Sequence, residues 1–477
     1  MNVAPDTAPH APATAPESSL QEVLLLVRLG APVVAAQMAQ MGMGLLDTLM
    51  AGRVGAEDLA GVALGGNVIW PVMLLLMGVL MALTPTVSQL HGAGRTRETG
   101  EVVRQGLWIA LLLGVLTVLL VSGAEHVYRA LGAEETIIPY AVAYVETARW
   151  GLPGVMFYFV FRYLCDGIGR TRPAMYVALS ALALKGVLNW IFVFGNLGFE
   201  AMGGRGCALS TVIVMWYEFI AMLCIVALPR YRIPTGVFER FSRPDFRRIG
   251  ELFRLGVPIG LTSFFEIAAF SMVTLLVARF GAASVAAQQI AFSTNGVIFM
   301  IPMGIGVAAT IRVGYELGAG RPAAARRAAV VAMAASLGFG LLAAAGLAFG
   351  NEAIVSLFTR EQDVAELAAQ LILFVALYIV VDNAQVTTIG ALRGYKDTRV
   401  PMLVALLGYW IIGLPVGSAL GFGWIGAPMN VYGFWIGLAV GLTIVALVLG
   451  WRLQKLSLRA VRRGPLVAPA DATVGQG

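Results

Sequence analysis

Two acidic residues lie deep inside long apolar segments of the sequence and are the first candidates for chemistry. Glu266 lies within the segment 255–279, and Asp382 lies within the segment 364–391. An unpaired carboxylate in apolar surroundings holds a proton or recruits a cation, which is the chemistry that an ion-coupling site needs. The alternative is structural, with each carboxylate buried and satisfied by neighbouring hydroxyl and amide groups.

Helical spacing of three or four residues groups other polar and aromatic side chains with these acids. The faces so defined are Ser263, Glu266, Phe270 and Thr274; Phe374, Tyr378, Asp382 and Gln385; and, in the first apolar segment, Gln37, Gln40, Gly44 and Asp47. Lys185 precedes Asn189 by four residues, so these two also share a face. Two readings of Lys185 stay open: it neutralises Asp47, or it meets only water.

Two further charged pairs and one lone acid lie near or inside apolar segments. Glu146 and Arg149 are three residues apart, and Arg162 and Asp166 are four apart, so each pair is predicted to form an ion pair within a helix. Glu218 has no partner at helical spacing.

The composition indicates a membrane protein. Of 477 residues, 58% are hydrophobic and 13% charged, with a mean hydropathy of +0.81, whereas soluble domains are about 45–50% apolar and about a quarter charged. Apolar runs of about 20 residues are long enough to cross a bilayer, and because they are continuous they predict helices rather than barrel strands. Twelve such segments occur: 25–51, 62–85, 103–123, 137–162, 173–195, 206–228, 255–279, 286–310, 328–350, 364–391, 400–421 and 430–451.

The distribution of charge predicts orientation and excludes several functions. The 33 basic residues exceed the 27 acidic ones by six and concentrate in alternate loops, which predicts that both termini lie in the cytoplasm. The expected location is the inner (plasma) membrane. Basic residues scattered over short loops do not favour nucleic acid as a partner. The three cysteines lie in or beside apolar segments and indicate no disulfide framework. No phosphate-binding loop occurs, so ATP is not the expected energy source, and no catalytic constellation indicates an enzyme or a resident cofactor.

The sequence repeats itself at an offset of 226 residues. The block Gly55–Gly92 has the same length as Gly281–Gly318, and the last glycine of each block begins the sequence Gly-Ala-Gly-Arg. Two homologous six-helix bundles with the same membrane orientation follow, and parallel repeats of this kind are typical of transporters. The predicted divisions are a disordered cytoplasmic tail 1–24, an N-terminal lobe 25–228, a basic cytoplasmic linker 229–254, a C-terminal lobe 255–451 and a cytoplasmic tail 452–477. At this offset Gln40 corresponds to Glu266.

Four stretches resemble the multidrug and toxic compound extrusion (MATE) transporters of the NorM-like branch. They are Leu46-Asp-Thr-Leu-Met-Ala-Gly52, Pro258-Ile-Gly-Leu-Thr-Ser-Phe-Phe-Glu266, Ile311-Arg-Val-Gly314 and Gly390-Ala-Leu-Arg-Gly-Tyr-Lys-Asp-Thr398. The likeness runs from about residue 25 to 450. It implies an all-α polytopic fold with two six-helix lobes in a V, and export of cationic amphiphilic drugs against Na⁺ or H⁺.

The resemblance also implies roles for residues. Glu266, Tyr378 and Asp382 match the C-lobe cation site and are the candidate Na⁺ ligands, whereas Asp47 matches the acidic residue of the N-lobe. The remaining candidates contact substrate: Gln40, Asn67, Lys185, Asn189, Gln289, Phe292 and Ser293. Lys185 and Asn67 depart from the family pattern.

The function expected from these features is secondary drug:cation antiport by a protein that works as a monomer, in contact with membrane lipid. The alternative within the superfamily is a flippase for a lipid-linked precursor, which needs a basic or hydrophilic groove. A channel or receptor is a different class, against which the duplicated bundles argue.

Overall fold

A computed structural model describes residues 18–130, 132 and 134–464. Nearly all of them are helical. Short 3-10 turns occur at Arg149–Gly151 and Ala278–Phe280, and a π-helix at Leu406–Gly413. The α-helices are α1 Ser19–Val54, α2 Ala56–Leu80, α3 Leu83–Gly92, α4 Thr96–Val121, α5 Ala124–Ala130, α6 Ile138–Ala148, α7 Leu152–Gly167, α8 Arg172–Phe192, α9 Gly204–Ala227, α10 Pro229–Thr235, α11 Phe246–Val277, α12 Ala282–Gly318, α13 Pro322–Ser356, α14 Gln362–Gly394, α15 Arg399–Ala405, α16 Leu414–Gly421 and α17 Asn430–Arg463.

Eleven helical stretches of the described residues are long and apolar enough to cross a membrane, one of them formed by α2 and α3 across the turn at 81–82. The predicted crossing at 137–162 is built instead from α6 and α7, joined by the 3-10 turn. Pro153 lies in the first turn of α7, where its missing N–H costs no helical hydrogen bond, but a continuous helix through the junction would need that donor. This crossing and the eleven stretches give the twelve that the sequence predicted.

The predicted N-terminal tail ends earlier than residue 24. Ser18 caps α1, because its hydroxyl accepts a hydrogen bond from the Gln21 backbone while the Gln21 side chain accepts one from the Ser18 backbone. Residues 19–24 therefore form the first turns of α1, and the expectation of disorder there was wrong. Residues 1–17 lie outside the described part of the chain.

The basic linker and the C-terminal tail are also partly helical. Within 229–254, α10 occupies Pro229–Thr235 and α11 begins at Phe246, where the Asp245 carboxylate accepts from two backbone N–H groups of the first turn. The last helix continues from the membrane segment to Arg463, so the predicted tail is helical over 452–463. Residues 465–477 fall outside the described range.

The arginine-rich loops all lie at one end of the bundle, because the chain reverses direction at each crossing. We call this the basic end; it contains residues 93–95, 168–171, 319–321 and 395–398. The two lobes approach each other most closely in the half of the bundle that adjoins it. There α1 and α3 pack on α12, and α2 packs on α11.

Glycines make this inter-lobe contact possible. A Cβ atom on Gly78 of α2 would lie 2.2 Å from the Cα of Gly260 in α11, and one on Gly304 of α12 would lie 3.0 Å from the carbonyl oxygen of Gly30 in α1. At the offset of 226, Gly78 and Gly304 correspond, so the same position serves both halves of the interface. The duplicated glycine therefore allows close backbone contact between the lobes at two places.

A buried ion network also joins the lobes near the basic end. Arg312 of α12 donates to both carboxylate oxygens of Glu22 in α1, at 2.8 and 3.0 Å. It also contacts Glu316 at 2.9 Å, and Glu316 contacts Arg321 at 2.8 Å. The two acids and two cations neutralise one another, so the network crosses the interface without leaving a buried net charge.

We expect Gly78→Ala to lower the thermal unfolding temperature of the detergent-solubilised protein, because the added methyl group collides with the α11 backbone, which cannot give way as a flexible side chain could. Gly346→Ala is the matched control, since no neighbouring atom lies within 4 Å of a Cβ there. Equal unfolding temperatures for the two variants would contradict the contact.

Candidate functional site

The C-terminal lobe holds Glu266 against the π-helical segment. The Tyr409 hydroxyl lies 3.3 Å from Oε1 of Glu266 and 3.0 Å from Oε1 of Gln385. A hydroxyl carries one proton and can donate to only one of these oxygens. When it donates to Gln385, a proton on Glu266 completes the chain, with Glu266 donating to Tyr409 and Tyr409 donating to Gln385.

Asp382 lies in the same lobe and is 1% exposed. Among the described residues, its Oδ1 atom has no hydrogen-bond donor. The neighbouring Tyr378, also 1% exposed, is fixed by edge-to-face contacts with Phe270 and Trp435, at ring-centroid distances of 6.0 Å each. A buried carboxylate oxygen without a donor is an open position for a cation or a proton.

Tyr409 was not a predicted site residue. The sequence predicts one regular helix over 400–421, but residues 406–413 form a π-helix, which changes the direction of their side chains. Trp410 donates from Nε1 to the carbonyl of Phe265, at 3.0 Å, and so fixes this segment against α11. Regular α-helical spacing could not have found this contact.

The N-terminal lobe contains a buried ion pair. The Lys185 ammonium lies 2.9 Å from Oδ2 of Asp47, and Asn189 donates to Oδ1 of the same carboxylate at 2.8 Å. Lys185 also donates to the Thr211 hydroxyl, and it is 2% exposed. Of the two readings of Lys185, the structure therefore supports the one in which it neutralises Asp47.

A cavity of about 350 Å³ lies inside the N-terminal lobe beside this pair. Three of the predicted substrate contacts line it: Gln40, Asn67 and Lys185. The apolar part of its wall includes, beside aliphatic side chains, the aromatic and methionine side chains of Trp70, Tyr144, Phe159, Met43, Met73 and Met215. This lining suits an amphiphilic ligand with an aromatic body.

Glu218 also lines the cavity and was not a predicted site residue. It is 2% exposed, and Gln40 donates to its Oε1 at 2.9 Å. Its partner lies on another helix, so no local spacing in the sequence marks the pair. Its position as a lone acid inside an apolar segment could nevertheless have marked Glu218 as a site residue, as it did Glu266.

The remaining candidates lie elsewhere. Gln289 and Phe292 are exposed and Ser293 is half-buried, all on α12 and outside the lining of the N-lobe cavity. The ring of Phe292 lies tilted against that of Phe270, with centroids 5.2 Å apart, and Phe270 in turn contacts Tyr378 of the C-lobe. The candidate substrate contacts thus divide between two lobes.

One of the two predicted intrahelical ion pairs is present. Arg162 lies 3.9 Å from Asp166. Arg149 instead donates to the hydroxyl of Ser122 and lies over the Trp150 ring, and Glu146 is exposed to the surroundings. The 3-10 turn that begins at Arg149 interrupts the helical spacing on which the Glu146–Arg149 pairing relied.

Comparisons with known proteins identify the family. The MatE family model matches residues 32–191 and 258–418, one match in each lobe. The chain belongs to the MatE family. This MatE protein is 40% identical over 458 residues to the multidrug resistance protein PmpM of Pseudomonas aeruginosa, covering 94% of this chain and 95% of that one. It is also 40% identical over 448 residues to the multidrug resistance protein NorM of Aliivibrio fischeri, covering 93% and 96%.

Solved structures share the fold. The eukaryotic MATE transporter AtDTX14 superposes with a TM-score of 0.82 at 22% identity, over 93% of this chain and 99% of that one. The Vibrio cholerae MATE transporter VcmN in its bent form gives a TM-score of 0.83 at 19% identity, over 93% and 98%. The two-lobed all-α architecture expected for this MatE protein is therefore confirmed.

The buried pair in the N-lobe makes a stability prediction. Asp47→Asn leaves the Lys185 ammonium buried without its counter-ion, which typically costs about 3–5 kcal/mol, whereas replacing both charges often costs little. We therefore expect Asp47→Asn to lower the thermal unfolding temperature strongly, and Asp47→Asn with Lys185→Met to restore most of the loss.

A double-mutant cycle with Lys185→Met as the second single variant measures this coupling. Additive changes in the free energy of unfolding would show that the ion pair contributes nothing beyond its two separate side chains.

Proposed function

We propose that this MatE protein is a secondary multidrug antiporter that exports cationic amphiphilic compounds in exchange for Na⁺ or H⁺. It acts as a monomer in the inner membrane, with the basic end and both termini in the cytoplasm, as the positive-inside bias favours. In this orientation the inter-lobe contacts close the cytoplasmic side, and the conformation described here faces outward.

The observation that carries the coupling proposal is the presence of two carboxylates inside the C-lobe, buried Asp382 and half-buried Glu266. Asp382 has an oxygen without a donor in the described structure, and Glu266 shares the single proton of Tyr409 with Gln385. The nearby ligand atoms are carboxylate, hydroxyl and amide oxygens, which suit a hard monovalent cation or a proton. Tyr378 supplies a further hydroxyl in this lobe.

The charge of the N-lobe cavity supports cationic cargo. Its lining contains the carboxylates of Asp47 and Glu218 and one ammonium, that of Lys185, so it does not attract an anion. A flippase for a phosphorylated lipid precursor would need the opposite balance. The names of the curated relatives, which are multidrug resistance proteins, agree with the drug-export proposal.

We expect Glu266→Gln and Asp382→Asn each to abolish gradient-driven ethidium efflux, because neither variant can exchange its side-chain proton or cation during the cycle. The measurement uses proteoliposomes in which the Na⁺ and pH gradients are imposed separately, and this also identifies the coupling ion. Glu146→Gln, which removes an exposed carboxylate, is the control. Efflux at the wild-type rate from either site variant would refute the coupling role.

Tyr409→Phe tests the hydrogen-bonded chain. Loss of a hydrogen bond to a charged or proton-sharing group typically costs about 1.5–3 kcal/mol, so we expect the efflux rate to fall about tenfold or more. Protein level and elution volume on size exclusion should stay unchanged, because the ring still fills its site. A rate within twofold of the wild type would remove Tyr409 from the ion pathway.

A further inference from the structure

The ionisable side chains inside the N-terminal lobe do not balance. Asp47 pairs with Lys185 at 2.9 Å, and Asp166 lies 3.9 Å from Arg162. Among the described residues, no lysine or arginine forms an ion pair with Glu218, whose Oε1 contact is the amide of Gln40. Glu218 therefore holds the excess negative charge of the lobe interior.

Arg162 also acts electrostatically on Glu218, but among the described residues its ion pair is with Asp166. Arg162 is 6% exposed and donates to Oε1 of Gln37 at 3.0 Å. Gln40 then meets Glu218 one helical turn further along the same face of α1. An amide can donate to a carboxylate but cannot neutralise it, and a buried carboxylate without a counter-ion is costly.

The position of Glu218 suits the charged part of a ligand. Gln40 and Asp47 are seven residues apart on α1, which is about 10 Å along the helix. Gln40 and Glu218 therefore lie at the end of the cavity nearer the basic end. The neutral Asp47–Lys185 pair lies at the other end of the cavity, farther from the basic end. A ligand that enters from the opposite end passes the neutral pair before it reaches the uncompensated carboxylate.

The internal repeat adds an independent observation. Gln40 occupies the position that Glu266 has in the other lobe, at the offset of 226 residues. The N-lobe thus lacks the carboxylate on its first helix but has one on α9, in contact with the corresponding side chain. Each lobe thus has a carboxylate without an ion-pair partner among the described residues: Glu266 on α11 in the C-lobe and Glu218 on α9 in the N-lobe.

We infer that Glu218 is the residue that binds the positive charge of an amphiphilic organic cation in the N-lobe cavity, and that Asp47 is not. This inference rests on the proposed function and adds to it the location of the cargo. The aromatic body of the cation packs against Trp70, Tyr144 and Phe159, whose ring faces attract a cationic centre. Lys185 remains bound to Asp47 and excludes a second cation from that carboxylate.

The test measures equilibrium binding of tetraphenylphosphonium to the purified full-length protein. We expect Glu218→Gln to weaken binding about tenfold or more and Glu218→Asp to keep most of the affinity, since the charge is retained. The double variant Gln40→Glu with Glu218→Gln moves the carboxylate to the other end of the same hydrogen bond and should restore binding. Glu146→Gln, an identical change at an exposed acid, is the control.

The rescue separates a binding role from a structural one, because a merely structural glutamate would not be replaced by a carboxylate on another helix. If Glu218→Gln binds tetraphenylphosphonium as the wild type does, the inference is wrong and the proposed antiport is unaffected. If the wild-type protein neither binds tetraphenylphosphonium nor exports ethidium, the proposed function fails as well. Loss of binding in both Glu218→Gln and the double variant would also overturn the assignment to the charge.

Discussion

A charge inside an apolar helix bundle is stable only when an opposite charge or a full set of hydrogen bonds lies beside it. Most of the buried charges of this protein obey that constraint. Arg312 is shared between Glu22 and Glu316, and Lys185 holds Asp47. The arrangement of helices around these pairs is fixed by them, because separating the partners would leave each charge uncompensated. The carboxylates left over are consequently the places where a mobile cation or proton lowers the free energy.

The glycine-lined interface between the lobes could connect the uncompensated carboxylates of one lobe with those of the other. Backbones in contact, as at Gly78 and Gly260, make an interface that is either closed or open, since packed atoms tolerate little intermediate displacement. The Glu22–Arg312 contact crosses the same interface and must break when it opens. Breaking this ion pair deprives both Glu22 and Arg312 of a counter-ion, which raises the free energy of the open arrangement. The closed arrangement is therefore favoured until a bound ligand offsets that free energy.

The sequence alone predicted the number of crossings, the duplication and the family, because these depend on the length of apolar runs and on local motifs. It left open whether Lys185 neutralises Asp47 or meets only water, and the structure decides for the ion pair. It did not predict Tyr409, because a π-helix breaks the spacing rule, nor the partner of Glu218, because contacts between helices distant in sequence leave no local pattern. Glu22 was assigned to a tail because the alanine- and proline-rich residues before it hid the start of α1.

For the proposed antiport, ion and drug need not share a carboxylate. The C-lobe acids and Glu218 lie in different lobes, so an ion in one and a drug in the other can act on the same inter-lobe interface. A ligand shifts this equilibrium only by the difference between its affinities for the closed and open arrangements. If the C-lobe ion favours one arrangement and the N-lobe cation the other, each lowers the affinity for its counterpart by the same factor. An antiporter can thus be built from two unlike sites, because the interface that glycines allow to close is the element that both sites bias.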